Sequence, residues 1–257
     1  MGLLTVEALS IDFGGLRALS EVSFEVQDKE IFSLIGPNGA GKTTVFNVLS
    51  GLYRPTTARI LFDGDDLLRL APHAIARRGL GRTFQNTEVF GHLSALDNVL
   101  VGEHARLRGG LLGAALFLPG VRREEAAART RARAWLARVG LEDVAEVEAR
   151  SLPLGHQKRL EMARALAGEP RLLLLDEPAG GLNPTETRAL IALISRLRDE
   201  LGLTIMLVEH DMEVVMTISD RVAVLDHGRK IAEGKPREVA GHPAVLEAYL
   251  GVEDAGA

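Results

Sequence analysis

The segment Gly36-Pro37-Asn38-Gly39-Ala40-Gly41-Lys42-Thr43 constrains this chain more than any other stretch. It spells G-x-x-x-x-G-K-T, directly after the apolar run Ile31–Ile35 and before a helix-like segment, residues 43–50. A glycine-rich turn between a buried strand and a helix aims backbone N–H groups at phosphate oxygens. The partial positive charge of the helix N-terminus favours the same anion. Lys42 is placed to reach β- and γ-phosphates, and Thr43 to offer a hydroxyl to Mg²⁺. A chance glycine-rich turn would not meet every fixed position in this strand–loop–helix context.

Three further runs, residues 172–175 (LLLL), 203–208 (LTIMLV) and 222–225 (VAVL), are continuously apolar. Strands covered by helices on both faces of a parallel sheet require that pattern. Val22, Phe24 and Val26 instead alternate with Ser23, Glu25 and Gln27, as in a half-buried antiparallel strand, and Phe24 is expected in the core. The expected fold is α/β, with an N-terminal antiparallel β layer beside a parallel core. Helices are expected over residues 122–139 and 157–167. Another starts at Asn183, with Pro184 at its first position and Glu186 three after the cap. Leu190, Ile191, Ile194, Leu197 and Leu201 share one face of it. Residues 86–168 show no buried-strand run. They read as a helical subdomain inserted into one domain, 1–257, whose remainder (1–85 and 169–257) forms the core and β layer.

Composition removes several classes. Lys and Arg number 30 against 35 Asp and Glu, a net charge of −5, which disfavours a nucleic-acid partner. Cysteine is absent, so disulfides, Cys-ligated zinc, iron–sulfur clusters and thiol nucleophiles are excluded. No stretch supplies the ~20 apolar residues of a membrane span. The longest uncharged run, residues 109–121, is expected to be a loop or short buried helix. The start, MGLLTVEALSIDF, lacks the basic and apolar regions of a signal peptide, so a cytosolic or peripheral protein is expected.

The run 172–175 leads into Asp176-Glu177. Asp176, at the end of a buried strand, could hold Mg²⁺ through water, and Glu177 could orient or deprotonate an attacking water. Alone, this pattern is weak; with the glycine loop upstream it gains meaning.

Pro153-Leu154-Gly155-His156-Gln157-Lys158-Arg159-Leu160 precedes the second motif. Here the chain resembles the ATP-binding cassette (ABC) family, in the family's own order. Walker A comes first, then Gln85 in Thr83-Phe84-Gln85-Asn86, the signature segment, Walker B at Asp176-Glu177, the D-loop Gly180-Gly181-Leu182-Asn183, and His210. The resemblance implies ATP binding through Gly36 to Thr43 and Thr44, with Phe13 under the adenine. It implies catalysis by Glu177, His210 and Gln85, and Mg²⁺ held by Thr43, Gln85 and Asp176. Gly155 would face the nucleotide of a second ATPase subunit, because family members close ATP between two cassettes.

The signature departs from L-S-G-G-Q. Pro153 replaces a serine whose hydroxyl binds phosphate, and His156 replaces the glutamine; a weakened composite site is expected, with tolerated drift as the alternative. FGGLRAL, GRTFQNTEVFGHLSALDNVLVG, DEPAGGLNP and VLEAYLG resemble the ATPase subunit of branched-chain amino-acid importers. That subgroup implies a heterodimer with a second cassette, two permease subunits, an indirect substrate-binding protein, and a place on the cytoplasmic face of the membrane. Urea and short-chain amide importers use similar subunits. A soluble, non-transport ABC ATPase is disfavoured by the single cassette and the acidic charge.

Overall fold

The computed structural model describes residues 2–83, 88–103 and 119–250. The chain opens with β1 (Leu4–Phe13), β2 (Leu16–Val26), β3 (Ile31–Ile35), α1 (Lys42–Leu49), β4 (Thr57–Phe62), β5 (Asp65–Asp66), α2 (Pro72–Arg77) and β6 (Leu80–Arg82). Then come α3 (Ala95–Glu103), α4 (Pro119–Arg138), α5 (Leu154–Leu166), β7 (Leu172–Asp176), α6 (Pro184–Leu201) and β8 (Thr204–Val208). The chain closes with α7 (Met212–Ile218), β9 (Arg221–Asp226), β10 (Arg229–Gly234), α8 (Pro236–Ala240) and α9 (Pro243–Leu250).

Two sheets form, in the arrangement expected from the two kinds of apolar pattern. One is four-stranded and antiparallel, ordered β2-β1-β4-β5; the other is six-stranded, ordered β10-β9-β3-β8-β7-β6. In the second, β9, β3, β8, β7 and β6 run parallel, while β10 closes one edge antiparallel to β9. Strand β3 shows why its run does not alternate between apolar and polar residues. Phe32 and Leu34 pack in the core shared with the antiparallel sheet, and Phe32 stacks on Phe24 at 5.4 Å. Ile31 packs on the opposite face with Leu173, Ile205, Leu190 and Ile194.

The sequence does not announce β6, a three-residue edge strand carrying Gly81 and Arg82; its register against Leu172–Leu174 of β7 defines it. Helix α5 also begins earlier than its periodicity suggests. Its cap is Pro153, so the signature segment itself forms the first turn. Helix α6 starts as expected: Asn183 accepts from Thr185 and Glu186 N–H groups, and Glu186 accepts from Asn183 N–H at 3.0 Å. Among the described residues between 88 and 168, the regular elements are helical.

Candidate nucleotide site

The loop between β3 and α1 takes a shape that only glycine tolerates at two positions. Gly36 has φ 148° and a Cβ there would lie 2.0 Å from the Leu225 carbonyl oxygen; Gly41 has φ 103° and would meet Leu19 at 2.5 Å. The loop is thereby pressed between the end of β9 and strand β2, with Asn38 and Gly39 exposed and Ala40 buried. Lys42 is buried, and its ammonium donates to the carbonyls of Gly36 at 2.7 Å and Pro37 at 2.9 Å. Burial lowers its pKa, opposed by the charges of Glu177 and Asp176. Thr43 and Thr44 sit half-buried in the first turn of α1, whose cap, Gly41, offers no side-chain acceptor.

Strand β7 delivers the acidic pair. Asp176 is buried, and burial raises its pKa against the lowering pull of Arg82. Arg82 donates to Asp176 Oδ2 at 3.2 Å and also reaches Asn47 Oδ1 at 2.8 Å and Ser50 Oγ at 3.0 Å. Asp176 Oδ1 is buried with no hydrogen-bond partner. Glu177 sits at φ 48°, a left-handed conformation unusual for a residue with a side chain. Its N–H donates to the Val208 carbonyl at 2.9 Å and its carbonyl accepts from Gly180 N–H at 3.1 Å. His210, exposed after β8, places Nδ1 3.8 Å from Glu177 Oε2.

Two residues that the sequence reasoning passed over complete this corner. Arg82 is the first. The second is Glu209, fully buried, whose Oε1 accepts from Ala179 N–H at 2.9 Å and Oε2 from His210 N–H at 3.2 Å. An acid directly after the buried run 203–208 was the available signal. Burial raises the Glu209 pKa.

The remaining candidates lie further out. Phe13, at the end of β1, is exposed and meets Tyr53 edge-on at 5.2 Å. Pro153 caps α5 without a side-chain bond, Gly155 is buried against Glu186 and Leu182, and His156 Nδ1 is buried without a partner. Gln85 lies outside the described residues, as does most of the run 109–121. A groove of about 890 Å³ opens beside the site, where Leu52 and Arg82 face Phe90, Val101 and Arg164. The Arg164 guanidinium covers the Phe90 ring at 5.3 Å.

Comparison with known proteins agrees with this geometry. Residues 19–180 match the family model for ABC transporters, and residues 229–255 match that of the branched-chain amino acid ATP-binding cassette transporter. The high-affinity branched-chain amino acid transport ATP-binding protein BraF of Pseudomonas aeruginosa is 46% identical over 249 residues, 97% of this chain and 98% of that protein. LivG of Escherichia coli, of the same description, is 47% identical over 97% of this chain and 98% of its own length. A crystal structure of an ABC transporter's ATP-binding cassette in its ADP conformation superposes with a TM-score of 0.85 at 29% identity, covering 98% of this chain and 99% of that one. With a family model covering residues 19–180 and relatives near half identity along almost the whole length, the chain belongs to the ABC transporter family, as an ATP-hydrolysing cassette.

Proposed function

We propose that this chain powers an importer of branched-chain amino acids. The observation that carries the substrate class is the extent of the likeness to BraF and LivG, which runs through the C-terminal segment as well as the shared nucleotide motifs. A cassette does not touch the cargo, so the reading is tested in the assembled transporter. Vesicles holding this chain, its permeases and its binding protein should accumulate leucine in an ATP-dependent way. Uptake of urea or a short amide instead of leucine would overturn the substrate class and leave the ATPase role standing.

At the site, the Gly36–Thr44 loop receives the phosphates, and Lys42 exchanges its loop carbonyls for β- and γ-phosphate oxygens. Phe13 stacks against adenine. Glu177 accepts the proton of the attacking water, and His210 beside it meets the γ-phosphate. The residues fit a divalent cation: Asp176 Oδ1 is buried and lacks a partner, Thr43 stands in the first turn of α1, and Gln85 is the third candidate. When bound, Mg²⁺ neutralises charge on the phosphate oxygens.

Residues 86–168, whose described regular elements are helical, form a subdomain on the core of residues 1–85 and 169–257. The groove between Leu52, Arg82, Phe90 and Arg164 receives a permease, with Phe90 and Leu93 as exposed apolar anchors. Among the described residues no helix is long and apolar enough to cross a membrane, which fits a chain held at the cytoplasmic face by its permeases. The second nucleotide-contacting segment, Pro153 to His156, serves a partner cassette in a heterodimer.

A further inference from the structure

The Glu177 carbonyl is held from two directions. Within its own turn it accepts from Gly180 N–H, at 3.1 Å. From outside, it accepts from the ammonium of Lys158, at 3.0 Å. Lys158 belongs to α5, one turn after Gly155, and is only 7% exposed. A lysine this buried is uncommon and calls for a specific partner. Other bonds fix the same turn from the β8 side: Glu177 N–H to Val208, and Ala179 N–H to Glu209.

A second observation places Lys158 at the junction. A small cavity of about 10 Å³, barely the size of one water, is lined by Thr83, Lys158, Glu161, Met162, Leu175, Asp176 and Pro178. Signature helix, Walker B strand and the base of the segment carrying Gln85 therefore meet around one ammonium. The space left between α5 and β7 is that of about one water. Glu177 itself stands at φ 48°, a conformation that persists only when neighbours enforce it.

We infer that Lys158 is a positioning residue for Glu177: it makes the placement of the signature helix set the pose of the catalytic carboxylate. A turn held only from the β8 side would keep its shape in the absence of a partner cassette. A turn also tied to α5 responds when the first turn of α5, Leu154 to Gln157, meets the nucleotide of the partner. The inference rests on Glu177 as the residue that activates water.

The test uses the full chain with Lys158→Met, which keeps bulk and removes the donor, and Lys158→Arg, which restores a charged donor. ATP affinity is measured calorimetrically with Mg²⁺ withheld, and turnover by phosphate release. Lys158→Met should lose about tenfold or more in kcat with ATP affinity within about twofold of wild type. Lys158→Arg should recover most of the loss. Should Lys158→Met not fold, Lys158→Leu, which also lacks a donor, carries the same readings. Unchanged kcat in the donor-deficient variant would overturn the inference, as would parallel losses of affinity and kcat that Lys158→Arg does not repair. Glu177→Gln, run alongside, separates the two ideas. If it is inactive while Lys158→Met is fully active, the role of Glu177 stands and that of Lys158 falls. If Glu177→Gln is itself active, the underlying reading fails.

Discussion

On the proposed reading, two helix beginnings in this molecule face the same chemical task with different equipment. Helix α1 starts at Gly41 and α5 at Pro153, and neither start is closed by a side-chain cap. By contrast, α3 is capped by Ser94, α6 by Asn183 and α7 by Asp211, each accepting from N–H groups of its first turn. An uncapped start leaves donors available to an anion, whereas a capped one has consumed them. At α1 the surrounding loop adds Lys42 and a backbone bent by Gly36 and Gly41. At α5 the cap residue is a proline, with neither a hydroxyl nor an N–H to give. On the proposed reading, one start is a full phosphate cradle; the other retains only the open helix end and Gly155.

The comparison can be broken most directly at Glu177, the proposed catalytic carboxylate. Glu177→Gln should lower turnover by about 10²–10⁴-fold while ATP stays bound, read as single-turnover phosphate release against equilibrium binding. Hydrolysis at the wild-type rate would remove Glu177 from catalysis. Next in size is Lys42→Ala. Loss of a charged hydrogen-bond donor to phosphate should weaken ATP binding by about 1.5–3 kcal/mol, measured by calorimetry, and full affinity would show that the cradle acts through backbone alone.

Pro153→Ser sharpens the contrast from the weak side. A hydroxyl returned to the start of α5 should raise steady-state ATPase of the chain several-fold. It should also add about 1 kcal/mol of stability where it caps its own helix. A higher melting temperature with no gain in rate would mean that the signature start is purely structural, and Pro153 tolerated drift. In a heterodimer with a cassette bearing the full signature, Glu177→Gln in this chain should cost more than the matching change in the partner. The smallest effect is expected at a cap that faces no nucleotide. Asn183→Ala should lower stability by about 1 kcal/mol in denaturant unfolding, and leave ATP affinity unchanged.

Features readable from the sequence are those whose partners lie close along the chain. The cap of α6 joins Asn183 to Glu186, three residues on, so residue types at fixed spacing disclose it. The β3–α1 loop bonds Lys42 to Gly36 and Pro37 within six residues, and glycine and lysine placement encodes it. The mostly apolar, non-alternating character of β3 and β7 likewise disclosed a two-sided sheet, because each residue reports its own burial. Strand β6 escaped notice because three residues carry no period of their own; pairing with β7 defines them.

The parts that hold the proposed catalytic groups in place were decided by the tertiary structure. Arg82 meets Asp176 across 94 positions, Glu209 meets Ala179 across 30, and Lys158 meets the Glu177 carbonyl across 19. In sequence, Glu209 is one charged residue after an apolar run, and Arg82 and Lys158 stand among glycine or polar neighbours. Their meaning depends on burial, since a charge taken out of water must find a partner, and only the folded chain specifies which one. The sequence by itself determined which groups are proposed to meet the phosphates. Packing of α5 and of strands β6 and β8 around β7 determined what holds those groups still, because that contact exists only once distant segments share one interior.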